Sequence, residues 1–575
     1  MANYKTDLND VHFNLFDFCN IQENDFGLGE AELKDILEQF NKFTENEIFP
    51  TREPGDHIGV KLTDKGVIVP ECFHKANKAF YDNGWYALGY DEEIGGMPSP
   101  HALKIACSSM AIGANVGFSM YYGLSQGAMN VIEKVGSKEQ KDLYIPPMMI
   151  GTWGGTMCLT EPEAGSDVGN AKTVATPRED GKYNIKGVKI FISSGDSDLY
   201  DNNIHLVLAR TPGAPEGTKG LSLFIVPKNL INKDGTNGAF NNVRCTKIEE
   251  KMGIHGSATC ELTFGDEGES VGELIGKEFD GMTNMFIMMN EARLLCGLQG
   301  EAQANLCYMM TEQYARERKQ FGAELVHLPD VKRTLLKMRS TARGLRALSY
   351  YTANLFDKAD KGDKEAEAEI ALFTPICKAF CSDEGFNVSV DAIQVHGGYG
   401  YCTEYGIEQF ARDTKIATIY EGTNGIQAID FIMRKILKDN AKTFFAVGKK
   451  IQNTMNKEEA KQFSHEISMI GKSMEMSEKM LERFSKLMAA KNTNGVLSYA
   501  TDFLSYCGNL VVSWLLLEHA CIAVNKMDGA SEEEKKFYQS KINDFKIFCQ
   551  YQLTRNIGLG NSVLNFEEDL TKMEV

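Results

Sequence analysis

The feature that most constrains the fold is a change of pattern in the middle of the chain. Residues 156–276 contain short, partly alternating segments rich in β-branched residues, such as KIFIS and LSLFIV. Gly, Asn, Asp and Pro separate these segments, as expected for strands joined by turns. No segment of helical length intervenes, so this stretch predicts a small antiparallel barrel or sandwich, because a parallel sheet needs helical crossovers.

Helical patterns occupy the chain on both sides of this stretch. Residues 1–155 place apolar residues at helical spacing, residues 277–440 predict long helices joined by short turns, and residues 441–575 continue the helical pattern. At 575 residues the chain is too long for a single hydrophobic core. We therefore predict an α+β multidomain protein, with an N-terminal helical domain, a middle β domain, a four-helix bundle and a C-terminal helical extension at these boundaries.

Charge and cysteine usage exclude several classes of protein. The formal net charge of −18 disfavours nonspecific binding to nucleic acid, because phosphate repels an acidic surface. Basic and acidic residues are nearly balanced within 441–575, so the C-terminal extension is not a basic nucleic-acid tail. The 14 cysteines are scattered and contain no C-x-x-C pair, which indicates reduced thiols and predicts no metal site.

The termini and the apolar runs favour a soluble protein. The start, MANYKTDLND, is polar and mixed in charge, unlike a signal or transit peptide. The most apolar run, residues 510–524, contains Glu518 and His519 and is too short to span a bilayer. We expect a cytoplasmic protein with no membrane partner.

Two clusters of glycine and hydroxyl residues lie at the start of the β region and within it. MCLTEPEAGSDVG, residues 157–169, has freed backbone N–H groups and hydroxyls that suit a polar ring or a pyrophosphate. It equally suits a structural turn that enters the β domain. In VKIFISSGD, Phe191 and Ser193 lie on the same side of an extended segment, which is also compatible with an ordinary strand.

Two further clusters lie in the helical region that follows. In YARERKQFG, Arg318 beside Phe321 is either a phosphate clamp or part of a solvated charged face. In the stretch from IQVHGGYGY to IYEGTNGIQ, the glycines at 397 and 398 let the chain pass close to a ligand. Glu421 follows an apolar run and precedes a glycine turn, where an isolated carboxylate also suits a helix start.

Together the four clusters resemble the acyl-CoA dehydrogenase family over residues 30–440. CLTEPEAGSD, ERKQFG, QVHGGYGY with RDTK after it, and IYEGTNGIQ match that family's motifs in order and spacing. The resemblance implies an FAD enzyme with helical, β and helical domains. The C-terminal extension and the N-terminal segment DLNDVHFNLFDF resemble a larger bacterial subgroup that includes 3-(methylthio)propionyl-CoA dehydrogenases, which does not fix the acyl chain.

The resemblance also implies which residues contact the ligands. By this resemblance, Thr160 would form a hydrogen bond with the flavin edge. Phe191 would lie where the family usually has a tryptophan, and Ser193 would lie near flavin N5. Gly425 stands where a polar FAD contact is frequent. The residues matched to FAD contacts are Met157, Leu159, Thr160, Gly165, Ser166, Phe191, Ser193, Arg318, Gln320, Phe321, Gln394, His396, Gly397, Gly398, Thr423 and Gly425, and those matched to substrate contacts are Ser166, Arg293 and Gly422.

Glu421 matches the family's catalytic base. The implied reaction removes the α proton of an acyl-CoA thioester to Glu421 while flavin N5 takes the β hydride, giving the trans-2-enoyl-CoA. Burial would raise the pKa of this carboxylate toward the working pH. Some members carry the base immediately before the arginine matched by Arg293, but here that position is Ala292, with Glu291 one residue earlier. This difference favours Glu421.

The resemblance further implies partners and leaves alternatives open. It implies electron transfer to an electron-transferring flavoprotein, and a homodimer or homotetramer in which Arg318, Gln320 and Phe321 reach the FAD of a neighbouring subunit. One alternative is an acyl-CoA oxidase that uses oxygen. Another is a DNA-associated flavoprotein of the alkylation-response branch, which would need a basic C-terminal region. A third is a catalytically inactive scaffold, which an intact Glu421 disfavours.

Overall fold

The chain is mainly helical, and its strands are concentrated in the middle, as the sequence predicts. The computed structural model describes residues 4–24, 26–565 and 570–575, without the side chains of residues 286–290. In chain order the helices are α1 Leu8–His12, α2 Glu30–Phe43, α3 Arg52–Ile58, α4 Glu71–Asp82, α5 His101–Ala114, α6 Val116–Val135, α7 Lys138–Met149, α8 Gly281–Glu317, α9 Pro329–Asp360, α10 Lys364–His396, α11 Glu408–Lys415, α12 Asn424–Asp430, α13 Lys442–Met455, α14 Ser464–Ala489, α15 Thr493–Leu497, α16 Ala500–Met527, α17 Glu532–Phe548 and α18 Arg555–Asn565.

The strands form one large sheet and three short hairpins. Their bounds are β1 Lys61–Thr63, β2 Gly66–Ile68, β3 Trp153–Cys158, β4 Val174–Pro177, β5 Tyr183–Ser193, β6 Asn202–Arg210, β7 Leu221–Pro227, β8 Asn229–Ile231, β9 Asn237–Phe240, β10 Val243–Ile248, β11 Thr259–Phe264, β12 Val271–Leu274, β13 Lys319–Gln320 and β14 Ala323–Glu324. The chain divides into two compact units. The first comprises Met1–Glu38, Pro100–Gly113 and Arg293–Val575, and the second Gln39–Ser99 and Ala114–Ala292. The four-segment division of the sequence stays a prediction.

The large sheet lies in the second unit. Its eight strands run in the order β10-β11-β5-β12-β7-β6-β3, with β4 paired to β5 and β6. Most pairs are antiparallel, as predicted, but β3 is parallel to β6 from Trp153 opposite Asn202 to Cys158 opposite Val207, and β4 is parallel to β6 at Val174 opposite Arg210. Since β4 and β5 lie between them in the chain, two reversals return β6 to the direction of β3. The prediction of a wholly antiparallel sheet is wrong at these two pairs.

In the first unit, helices α8 and α10 approach each other closely because glycines line the crossing. A Cβ atom on Gly297 or Gly300 would overlap the carbonyl of Cys377 or Cys381, and one on Gly385 would overlap the backbone of Gly300. Only residues without side chains permit such an approach. The first unit contains α8 from Arg293 onward. The crossing brings the beginning of this segment beside the middle of α10, where the candidate site lies.

A buried network of charges connects the C-terminal extension to the rest of the first unit. Arg346 on α9 pairs with Asp10 at 2.6 Å, Arg343 pairs with Asp544 of α17 at 2.7 Å, and Lys541 pairs with Asp10. Fully buried charges are tolerated when each has a partner. The extension also contributes α16, which is long and apolar enough to cross a membrane but has 83% of its most apolar window buried in the protein.

Candidate active site

Glu421 lies on a strained turn that precedes α12. Its φ is 54° and that of Gly422 is 79°, so two successive residues are left-handed. A non-glycine residue in this region costs on the order of 1 kcal/mol and is most often found at functional sites. The hydroxyl of Thr423 caps α12 by accepting from the N–H of Ile426 at 3.2 Å. Because Thr423 serves as the cap, the carboxylate of Glu421 is not needed for that role.

Two buried cations lie near the Glu421 carboxylate, which is itself half-buried. Arg293 of α8 is 6% exposed and Lys378 of α10 is fully buried. Burial raises the pKa of Glu421 above its usual range, while the charges of Arg293 and Lys378 oppose that rise without cancelling it. The site therefore holds a carboxylate whose basicity exceeds that of an exposed glutamate.

Hydrogen bonds hold the Glu421 turn from two sides. Gln427 donates its Nε2 to the carbonyl of Glu421 at 3.0 Å, and the Tyr420 hydroxyl donates to Oε1 of Gln299 on α8. On the other side, Nζ of Lys378 donates to Oδ1 of Asn424 at 2.8 Å. The apolar run before Glu421 contributes less burial than expected, because Ile419 is 52% exposed. The helices α8 and α10 supply the surroundings instead.

Arg293 was matched to a substrate contact, and the structure shows what holds it. Its Nη1 pairs with Asp430 of α12 at 3.4 Å, while its Nε has no hydrogen-bond partner among the described residues. The guanidinium thus retains an unsatisfied donor within the site. Gly422, the other residue of the first unit matched to a substrate contact, directly follows Glu421 in the chain and is half-buried.

The C-terminal end of α10 forms a second part of the candidate site in the first unit. Gly397 has a φ of 63°, and a Cβ on Gly397 or Gly398 would meet nothing within 4 Å, so both face open space. The ring of His396 stacks on Tyr314 at 4.1 Å, and its Nδ1–H donates to the Ala392 carbonyl at 2.9 Å. This segment presents exposed backbone supported by a fixed ring. Gln394 is exposed nearby in the chain, and Gly425 is half-buried on α12.

A short hairpin formed by β13 and β14 follows α8. The guanidinium of Arg318 lies 5.4 Å from the ring centre of Tyr399, a cation–π contact that orients it. Gln320 is exposed, and Phe321 at the tip has a φ of 53° and is 94% exposed. An aromatic ring in that position has almost no contact within its own chain.

In the second unit, the TEPEAGSD loop is held by a buried ion pair. Glu161 pairs with Lys189 of β5 at 2.8 Å and accepts from the N–H groups of Lys172 at 2.6 Å and Thr173 at 3.0 Å. Burial raises the pKa of Glu161, but Lys189 and these donors lower it by a larger amount. The net pKa lies below its usual value, so the group stays ionised. The loop presents Gly165 and Ser166 to the surface, while Met157, Leu159 and Thr160 are half-buried.

A β-bulge in β5 presents Phe191. Lys189 pairs with Leu262 and Ile192 with Cys260, so two residues of β5 oppose one residue of β11. Phe191 lies in the bulge with a φ of 58° and is 60% exposed, whereas Ile192 is buried. Bulges often reorient a side chain beside a functional site. Ser193 follows and is half-buried.

Glu291, the other carboxylate considered as a base, has a described partner in the second unit. Its carboxylate accepts from Nδ2 of Asn130 at 3.0 Å, within the second unit. The sequence reasoning missed Lys378, Asn424 and the Glu161–Lys189 pair. A lysine within the apolar helical segment PICKAFC was a usable signal for Lys378, because such a residue is rarely buried without a purpose.

Comparisons with known proteins agree on one family. Family models for the acyl-CoA dehydrogenase N-terminal domain, middle domain and C-terminal domain match residues 30–152, 156–266 and 280–437, and an acetyl-CoA dehydrogenase C-terminal-like model matches residues 447–574. The chain is 36% identical to a 3-methylmercaptopropionyl-CoA dehydrogenase of Ruegeria pomeroyi, over 91% of each chain.

Two further proteins are similar over nearly the whole length. A broad-specificity linear acyl-CoA dehydrogenase of Mycobacterium tuberculosis is 35% identical over 99% of this chain and 100% of its own. An acyl-CoA dehydrogenase from Bacillus anthracis, solved with FAD, has a TM-score of 0.77 at 22% identity over 96% of this chain and 91% of its own, which shows a shared fold. The chain belongs to the acyl-CoA dehydrogenase family and is an FAD-dependent oxidoreductase.

Proposed function

We propose that this enzyme removes the α and β hydrogens of an acyl-CoA thioester, with Glu421 as the base that takes the α proton. The carrying observation is the Glu421 carboxylate, whose pKa is raised by burial and which lies near two buried cations on a strained turn. A general base is most effective when its pKa approaches the working pH. Thr423 caps the helix, so the carboxylate is available for a proton.

The residues of the turn have complementary roles in this proposal. Glu421 accepts the α proton on a carboxylate oxygen, and its own backbone N–H donates to the thioester carbonyl, which makes the α hydrogen more acidic. Gly422, with its φ of 79°, allows the backbone to bend there without a steric penalty. The unsatisfied Nε of Arg293 is a donor for the CoA portion of the substrate.

Both units carry residues that fit FAD. The open space at Gly397 and Gly398 suits a pyrophosphate, and the exposed ring of Phe191 with the Ser193 hydroxyl suits the edge and face of a flavin. The other FAD-binding residues that we propose are Met157, Leu159, Thr160, Gly165, Ser166, Arg318, Gln320, Phe321, Gln394, His396, Thr423 and Gly425. When bound, FAD supplies the acceptor for the β hydrogen and its electron pair.

The substrate and partners follow from the relatives and the surface. We propose an unbranched acyl chain, because the Ruegeria pomeroyi and Mycobacterium tuberculosis relatives, which are similar over more than nine tenths of this chain, carry names that specify such a chain. We propose an electron-transferring flavoprotein as the electron acceptor. A second copy of the chain would cover Phe321 and Tyr401, which are 94% and 86% exposed, since aromatic rings left in water favour association.

Anaerobic reduction of the bound flavin tests the reaction and the base together. Purified protein is expected to be yellow and to lose its flavin absorbance when mixed with unbranched acyl-CoAs, including the methylthiopropionyl thioester. Glu421→Gln removes the base with little change of shape, so it is expected to retain FAD and lose the bleaching.

Glu291, a carboxylate of the second unit, provides the matched control. Glu291→Gln changes a residue that contacts Asn130 and is expected to bleach at a rate close to that of the wild type. Wild-type bleaching by Glu421→Gln would show that Glu421 is not the base. Reoxidation by oxygen as fast as by an electron-transferring flavoprotein would identify an oxidase.

A further inference from the structure

We propose that Lys378 is a positioning residue for Glu421: it holds the turn that carries Glu421 through Asn424 and places a fixed positive charge beside the carboxylate. This inference rests on the proposed role of Glu421 as the base. It adds a residue from a different helix, 43 positions earlier in the chain, that does not contact the reacting atoms.

The geometry of the Lys378 contact connects α10 to the start of α12. Nζ of Lys378 donates to Oδ1 of Asn424 at 2.8 Å. Asn424, the first residue of α12, donates its Nδ2 to Oγ of Ser382 at 3.1 Å and to the carbonyl of Ala379 at 3.3 Å. One turn of α10 therefore holds the amide of Asn424 on both sides. Because Glu421 precedes Asn424 by three residues, its turn is fixed relative to α10.

The burial of Lys378 needs an explanation that packing does not provide. Its side chain is fully buried, and it forms no salt bridge within the described part of the chain. A buried ammonium is costly to desolvate unless an anion lies close to it. Its only described side-chain hydrogen bond is to the neutral amide of Asn424, so this charge is not neutralised by a direct partner.

Lys378 and Arg293 differ in how much of their charge acts on Glu421. Arg293 is paired with Asp430, whose carboxylate offsets the guanidinium charge. Lys378 forms no salt bridge within the described residues; both cations lower the pKa of Glu421, Arg293 more than Lys378. This leaves Lys378 as the cation near the base that is free of a salt bridge.

Several other groups face this pair and enter any dependence on pH. Cys296 and Arg293 on α8 and Tyr420 in the turn lie near Glu421, and burial raises the pKa of both the Cys296 thiol and the Tyr420 phenol, so both stay neutral near pH 7. Asp383 on α10 lies near Lys378, and Lys415 on α11 lies near Asp383. Among these groups the cations that act on Glu421 are Arg293 and Lys378; Asp430 pairs with Arg293, and Asp383 partly offsets the charge of Lys378.

The test measures the anaerobic rate of flavin bleaching against pH in three variants of the full-length holoenzyme. Lys378→Met removes the charge and the donor to Asn424, whereas Lys378→Gln removes the charge and keeps a donor for Oδ1 of Asn424. Both are expected to move the rise of the rate to higher pH and to lower the rate at pH 7 by roughly tenfold, with recovery at alkaline pH. Lys378→Arg keeps the charge and is expected to restore most of the wild-type profile.

A lysine outside the site controls for general effects of removing charge. Lys337→Met breaks a surface pair with Asp391 and is expected to leave the pH profile unchanged. If Lys378→Met fails to bind FAD, Lys378→Gln decides the question. Wild-type pH profiles in both Lys378→Met and Lys378→Gln would overturn the inference. Loss of bleaching in Glu421→Gln alongside those profiles would leave the proposed base intact, so the two failures are distinguishable.

Discussion

Asp357 on α9 offers the sharpest prediction about pH and stability. Its carboxylate is 5% exposed and accepts from the N–H of His101 at 2.8 Å and from Nδ2 of Asn24 at 3.1 Å. Burial raises its pKa from 3.8 to about 7, despite the His101 hydrogen bond. The folded protein thus holds a proton that the unfolded chain releases above pH 4 or so.

The sign and size of the effect follow from this shift. The stability that the proton contributes is complete below the unfolded pKa of 3.8 and is lost as the pH rises through about 7. A rise of about three units corresponds to about 4 kcal/mol in total, of which about 2 kcal/mol falls between pH 5.5 and pH 8. Asp357→Asn keeps an acceptor for His101 and carries no titrating proton, and a rotation of the Asn24 amide restores the second contact.

The assay compares urea unfolding of the wild type and Asp357→Asn at several pH values from 5.5 to 8. Other titrating groups are common to both proteins, so they cancel in the difference between the two free energies of unfolding. We expect the variant to gain about 2 kcal/mol relative to the wild type over this range. A difference that does not change with pH would refute the assignment of a raised pKa to Asp357.

Three further predictions concern the elements that support the site. Lys189→Met leaves Glu161 buried without its cation and is expected to cost about 3–5 kcal/mol of unfolding free energy and to weaken FAD retention, measured by denaturation and flavin absorbance; unchanged values for both would contradict the role of this pair. Gly300→Val places a side chain against the Cys381 carbonyl, so thermal denaturation is expected to show a large loss of stability. An unchanged melting temperature in this variant would show that α8 and α10 can move apart at little cost in free energy. Thr423→Ala removes the α12 cap and is expected to cost about 1 kcal/mol in urea unfolding, with Thr423→Ser restoring it; no loss in the alanine variant would show that another group caps the helix.

The helical and β regions were predictable because their patterns are local. Strand-like segments such as LSLFIV and the long apolar helical stretches record burial within a few residues, and the structure places strands and helices accordingly. The parallel pairing of β3 with β6 was not predictable, because partner strands 49 residues apart leave no local signal. The same holds for the bulge that exposes Phe191, which depends on its register with β11.

In the candidate site, too, some features were predictable from the local sequence and others were not. The motif around Glu421 is contiguous, so the carboxylate, the glycine turn and the Thr423 cap could be recognised in the printed sequence. The charges that act on Glu421 come from Arg293 and Lys378, which lie far away in the chain. The exposure of Ile419 shows that the apolar run before the base was a poor guide to its burial.

By itself, the sequence determined the type and order of the elements, the family, and the carboxylate that we propose as the base. Those properties depend on residue identity and on spacing along the chain. The tertiary structure alone decided the surroundings of that carboxylate, because glycines at the crossing of α8 and α10 bring Arg293, Lys378 and the Glu421 turn together. A pKa depends on charges and burial in three dimensions, and neither is encoded in a local pattern.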